Sequence, residues 1–147
     1  MTKAFNWGQV FRILGVLLLT EAFLMSLSAI VAYIYGENDL KAIVESSVIT
    51  AVSGIAGMLI GGKTTKHFGT REGYLVVGLV WIVFSLFGML PFKLSHYIPS
   101  ITDAFFETMS GFTTTGATIL TDIEVLPHGL LFWRSMMQWM GGMGIVV

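Results

Sequence analysis

The sequence has no cysteine, which excludes a disulfide scaffold and a zinc–thiolate centre. Charge is scarce as well: 12% of the residues are charged and the formal net charge is −1. Such a balance gives no basic surface for nucleic acid, so no nucleic-acid partner is expected. No stretch brings a nucleophile, a base and an acid together, and no enzyme activity is expected. His67 and His96 lie in loops and His128 at a helix entrance; without a second ligand at helical spacing, none suggests a metal site. A cleavable leader is also missing from the pattern. Lys3 and Arg12 precede a long apolar stretch with no small-residue cleavage site behind a short core, which reads as a retained helix.

What remains is apolar. Hydrophobic residues make up 54% of the chain, the composition of an all-α integral membrane protein. Four spans are expected, about Val10 to Tyr35, Ala42 to Ile60, Tyr74 to Pro91 and Gly129 to Val147, each near the roughly 20 residues that cross a hydrocarbon core. "YGENDLK", Tyr35 to Lys41, is a polar turn between the first two. The third carries Trp81, Phe84 and Phe87 and no charge, and is expected to stop at Pro91. The fourth is still apolar at Val147, as expected of a piece of a longer protein. The expected organisation is a two-helix accessory hairpin over 1–62, a basic loop over 63–73, and a helix–loop–helix unit over 74–147.

Lys3 and Arg12 precede the first span, while Lys63, Lys66 and Arg71 fill the loop between the second and third. Alternating spans put both groups on one side, which the distribution of basic residues makes the cytoplasm. The same three loop cations are a topology signal first and a contact for anionic lipid second. The other side collects Glu37, Asp39, Asp103, Asp122 and Glu124 against Lys41 and Lys93, a surface that concentrates cations.

Between the last two spans lies "PSITDAFFETMSGFTTTGATILTDIEVLP". Ser100 and Asp103 form a helix-start pattern, and the helix over 100–110 that follows is too short to cross, with Phe105, Phe106 and Met109 able to share a face. Gly111 is expected to end it in the left-handed conformation. Non-helical backbone at membrane depth is tolerated only within protein or along a water-filled cavity, so the segment reads as a re-entrant pore loop. Thr113 to Thr118 offers consecutive carbonyls, and Gly116 the conformational freedom to turn them toward one axis. The C-terminal end of the short helix would aim its negative dipole end the same way. With neither imidazole nor thiolate in the loop, a hard monovalent cation fits better than a transition metal.

"DAFFETMSGFTTTGAT" followed by "LPHGLLFWRSMMQWMGGMGIVV" resembles the first pore repeat of the Trk/Ktr/HKT potassium transporter superfamily, and within it the TrkH type, which carries two extra N-terminal transmembrane helices. The resemblance implies one of four helix–loop–helix repeats around a single pore. Its filter strand falls on Thr114, Thr115, Gly116 and Ala117, which would bind K+ through their backbone, with Thr113 and Thr118 flanking. Glycine at position 116 implies potassium selection, serine a preference for sodium. The resemblance further implies no cofactor beyond K+ as the transported ion, a cytosolic nucleotide-binding regulatory subunit of the TrkA kind, a homodimeric full-length form, and a multi-pass place in the bacterial cytoplasmic (inner) membrane with a cytoplasmic N-terminus. Three filter strands lie outside this chain, which leaves two other readings open: a non-conducting membrane fragment or interaction module, and a homotetrameric mini-channel.

Glu107 reads as a support bonding backbone amides behind the filter, with the ion path as its other place. Arg134 pairs with a pore-helix carboxylate or snorkels outward. Glu21 and Glu45, outside the repeat, are expected to pack against another helix or lie at the interface. Gly141, Gly142 and Gly144 are expected to serve close helix packing.

Overall fold

Asn6 opens the first helix: its side-chain oxygen accepts from the Gln9 amide at 3.3 Å, satisfying one of the donors a helix start leaves free. The computed structural model describes residues 6–62 and 69–146. Lys3, Lys63, Lys66, His67 and the side chain of Arg71 lie outside the described part. The described residues form six helices in order, α1 (Trp7–Tyr35), α2 (Leu40–Gly61), α3 (Thr70–Gly88), α4 (Leu90–Leu94), α5 (Ile101–Phe112) and α6 (His128–Val146). Among the described residues there is no strand.

Helix α1 ends where Gly36 enters the left-handed region, φ 65°, and the amides of Gly36 and Glu37 fold back on the carbonyls of Tyr33 and Ala32, a glycine-terminated helix end. The short turn sends α2 back along α1. Glycines let their backbones meet: a Cβ at Gly15 would lie 2.6 Å from the Gly54 carbonyl oxygen and 2.7 Å from the Met58 nitrogen, and one at Gly54 2.9 Å from the Gly15 oxygen. Two helices in lipid gain little from burying apolar side chains, so such close backbone contact is what holds them. Gly15→Leu is expected to destabilise the full chain in detergent by about 1–3 kcal/mol, read as thermal unfolding. Gly78→Ala, at a glycine with open space around it, should leave the melt unchanged or raise it.

Three described segments are long and apolar enough to cross a membrane: Trp7–Tyr35, Leu40–Gly61 and Gly73–Leu94. The third does not stop at Pro91. The chain bends at Met89 and turns on as α4, with Pro91 in the first turn of that helix, where a missing N–H costs nothing. The fourth expected span forms as α6 but is less apolar, because Arg134 and Gln138 interrupt it. Its Leu130, Trp133, Met137 and Gly141 are buried, a stripe at helical spacing that faces protein.

The core gathers where α1, α3, α5 and α6 meet. Phe112 lies between Phe84, 5.4 Å away centre to centre, and Trp133, edge-on at 6.4 Å. The Trp133 indole N–H donates to the Gly88 carbonyl at 2.9 Å, so a large apolar side chain is fixed by its one polar atom.

Candidate functional site: the loop after α5 and its braces

Ser100 caps α5, accepting from the Asp103 amide at 3.4 Å. The buried side of the helix is not the Phe105, Phe106 and Met109 side. Ala104, Glu107, Thr108, Gly111 and Phe112 are buried, while Phe106 is exposed. Polar groups make this contact: the Thr108 hydroxyl reaches the Ser85 carbonyl at 3.0 Å, a pairing that low dielectric strengthens.

Gly111 does not end the helix. It packs against Met137 within the helix, which continues to Phe112, and the left-handed residue is Thr114, φ 55°. A β-branched residue there is strained. The Thr114 amide bonds to the Gly111 carbonyl at 3.0 Å and that of Thr115 to Ser110 at 3.0 Å, which holds the strained turn in place. Gly116 follows at φ 74°, while Thr115 and Ala117 have no positive φ. The positive φ values at Thr114 and Gly116 break the regular extended backbone of a strand at every second residue.

Thr114 to Ile119 are exposed. Among the described residues no protein donor reaches the carbonyls of Thr114, Thr115 or Gly116, whereas that of Ala117 accepts from the Ser110 hydroxyl at 2.6 Å. The far end of the loop is held by Glu107. Its carboxylate accepts from the Thr118 hydroxyl at 3.0 and 2.9 Å, from the Ile119 amide at 3.1 Å, and from the Arg134 Nε at 2.8 Å. Glu107 is fully buried in its side chain and Arg134 only 16% exposed, so each charge has its counter-charge where water is scarce. The free carbonyls thus lie between the amide bonds of Thr114 and Thr115 to the end of α5 on one side and two adjacent braces, Ser110–Ala117 and Glu107–Thr118, on the other. Such oxygens can replace part of a cation's hydration shell; no group of three or more His, Asp or Glu side chains among the described residues could hold a metal.

The other candidates lie elsewhere. Glu45 pairs on an exposed face with Lys41 at 3.7 Å, a contact worth little. Glu21 is buried and has no hydrogen-bond partner among the described residues. Of the three late glycines only Gly141 is tightly enclosed: the nearest atom to a Cβ at Gly142 would be 3.9 Å away, and nothing lies near Gly144. His96 is exposed in the left-handed region.

His128 begins α6 and belongs to a second junction that the sequence does not announce. Its ring stacks on Tyr35 at 4.0 Å, its amide donates to Glu37 at 2.7 Å, and its Nδ1 lies 2.8 Å from the other Glu37 oxygen. These partners are 91 residues apart, and only the Glu37 carboxylate's natural place at a helix start hints at the pairing. Asp39, also buried, faces Gly129. The bond from His128 holds the Glu37 carboxyl below its ordinary range, while burial lifts that of Asp39. The two shifts act with opposite sign on stability. Glu37 stabilises above its ordinary value and loses this as pH falls through its lowered one; Asp39 gains as pH falls through its raised one. Thermal unfolding is therefore expected to peak between the two titrations, with Glu37→Gln removing the acid-side fall and Asp39→Asn the decline above the peak.

A family described as "TrkH: Cation transport protein" matches residues 39–147. The Trk system potassium uptake protein TrkH of Halomonas elongata is 40% identical over 140 residues, covering 95% of this chain and 29% of that protein. That of Escherichia coli K12 is 40% identical over 143 residues, covering 97% of this chain and 30% of the relative. The crystal structure of the potassium transporter TrkH from Vibrio parahaemolyticus superimposes with a TM-score of 0.89 at 35% identity, over 97% of this chain and 31% of that one. The chain thus spans about 30% of the length of the curated relatives it matches.

Proposed function

The chain belongs to the TrkH family of cation transport proteins, and from that premise we propose that residues 113–118 form one wall of a potassium-selective filter in a membrane transporter. The carbonyls of Thr114, Thr115 and Gly116 face the ion, and Ala117 joins them with one lone pair while Ser110 holds the other. Thr113 and Thr118 anchor the strand at its ends. Three further repeats of the longer protein complete the ring, since one strand cannot surround an ion. The observation that carries this reading is a row of carbonyls on exposed residues, without protein donors among the described residues, on a backbone of alternating φ held at one end by the Thr114 and Thr115 amide bonds and at the other by Ser110 and Glu107.

The transport step uses no covalent chemistry and no cofactor; K+ is the cargo. The protein sits in the bacterial cytoplasmic membrane with its N-terminus and the 63–73 loop in the cytoplasm. In its full-length form it is a homodimer served by a cytosolic nucleotide-binding regulatory subunit.

Gly116→Ser tests the filter. A Cβ at Gly116 meets nothing within 4 Å, so the substitution acts on the backbone and not on packing. Side chains resist the left-handed region by about 1–2 kcal/mol, which corresponds to roughly tenfold in population. In the full-length protein, Rb+ uptake into liposomes relative to Na+ is expected to fall by about tenfold. Unchanged relative uptake sinks the filter assignment.

A further inference from the structure

Glu21 stands at the midpoint of α1, with Trp7 and Tyr35 each fourteen residues away. It is 0% exposed and neither carboxyl oxygen has a hydrogen-bond partner among the described residues. Because the side chain is sealed within this part of the chain, later segments of the longer protein cannot reach it without repacking. Its place is specific. The position that a Cβ at Gly88 would take lies 3.2 Å from Glu21 Oε1 and 2.8 Å from the ring edge of Phe112, so α1, α3 and the last residue of α5 converge on one glycine. The carbonyl of that same Gly88 holds the Trp133 indole of α6 at 2.9 Å. Phe112 is followed directly by Thr113 and the strained Thr114.

Among the described residues, no neighbouring element compensates a charge here. Helix α3 has no charged side chain from Gly73 to Gly88, and Tyr74 is exposed at its far end. On α2, Lys41 and Glu45 pair with each other in solvent. Lys93 of α4 donates to the Pro99 carbonyl. Asp103 is exposed on α5, and Glu107 is committed to Arg134 of α6. His128 is held by Glu37, and Asp39 faces Gly129 at the hairpin turn. On α1 itself, Arg12 reaches the Gly62 carbonyl, while Tyr33 and Tyr35 are exposed. An ionised carboxylate sealed away from every described cation and donor is expelled by desolvation unless it takes up a proton.

We propose that Glu21 is a proton-binding positioning residue for the loop: as the neutral acid it seats Phe112 against Gly88, and loss of the proton unseats the C-terminal end of α5. The proposal rests on the reading of residues 113–118 as a filter wall. An ionised Glu21 must draw in water or swing away from Gly88, and either motion disturbs the place at Gly88 where the Phe112 ring edge packs. The displaced residue is the one from which the loop departs, so the carbonyl row loses its register. Acidification favours the seated loop, and alkaline conditions the unseated one.

The test uses the full-length protein in liposomes, with equal pH inside and out, reading Rb+ uptake from acid to alkaline pH. Native uptake is expected to fall by about tenfold per pH unit above the titration, the limit for one group active only when protonated. Glu21→Gln and Glu21→Met, which cannot ionise, are expected to keep the acid-side rate throughout. The infrared carbonyl band of an unionised carboxylic acid is expected in the native protein and absent from Glu21→Gln. Superimposed pH profiles for native and Glu21→Gln protein, or no such band in the native one, overturn the proposal. Gly116→Ser in the same vesicles reads the filter separately: unchanged ion preference there fails that assignment, whereas superimposed profiles fail this one.

Discussion

Replacing Glu107 with alanine is expected to reduce Rb+ uptake by the full-length protein to background and to destabilise it by about 3–5 kcal/mol, the cost of stripping one partner from a buried ion pair. The size follows from what is left behind. Arg134, 16% exposed, keeps its charge without a counter-charge, and the Thr118 hydroxyl and Ile119 amide lose their acceptor together. The far end of the loop would then be held by the Ser110–Ala117 bond alone. Glu107→Gln is expected to fall between, because an amide oxygen still accepts from Thr118 while its NH2 cannot face the Arg134 donor. Glu107→Gln combined with Arg134→Met should recover stability relative to Glu107→Ala, since it removes the orphaned charge. Thermal unfolding in detergent and uptake in liposomes measure both. A Glu107→Ala protein that melts within about 1 kcal/mol of native, the level of an ordinary surface change, and transports normally would show that Glu107 does not brace the loop.

Much of this organisation is legible in the residues themselves. Apolar runs near membrane length place the helices, Ser100 announces the start of α5, and a hydroxyl-rich stretch after a helix too short to cross announces irregular backbone. Contacts between distant residues are not legible. Glu107 and Arg134 are 27 residues apart and Glu37 and His128 are 91 apart; their types invite pairing, but only the fold chooses the partners. Glu21 is placed only loosely from sequence, against another helix or at the interface, for a different reason. Helix α1 is apolar nearly all round, so no stripe separates the side facing lipid from the side facing protein, and an acid at its midpoint carries no mark of burial. Gly111 shows local preference losing to packing. Glycine favours the left-handed helix end, yet Gly111 is held in the helix against Met137, and the left-handed turn falls on Thr114, a residue that resists it. Strain of that kind persists where surrounding contacts over-determine the backbone, and the paired amide bonds of Thr114 and Thr115 supply them. The spacing of Gly54, Gly57 and Gly61 was the available signal for the α1–α2 contact, a repeat of small residues on one helix side.

Gly141→Ala is expected to be destabilising although the same change normally strengthens a helix. Within a helix interior, alanine is favoured over glycine by about 0.8–1.0 kcal/mol, and Gly144→Ala, with nothing near it, should gain accordingly. Gly142→Ala meets only the Thr114 methyl at 3.9 Å, an ordinary contact. At Gly141 the added Cβ would overlap the Phe112 carbonyl oxygen and lie 2.7 Å from its carbon and 3.0 Å from its Cα. All three are backbone atoms, which cannot turn aside as a side chain tip can, so α6 and the end of α5 must separate. Overpacking of this kind costs about 1–3 kcal/mol, enough to reverse the propensity gain. The consequence reaches the loop directly, because Phe112 is the last residue of α5 and Thr114 adopts its left-handed conformation two residues on. Rb+ uptake by the full-length protein is therefore expected to fall by tenfold or more for Gly141→Ala, about 1.4 kcal/mol in the conducting geometry, with Gly144→Ala near native. The decisive comparison is the order of the melts. If Gly141→Ala unfolds at or above the temperature of Gly144→Ala, the end of α5 does not rest on α6 at this glycine, and the loop takes its position from Ser110 and Glu107 alone.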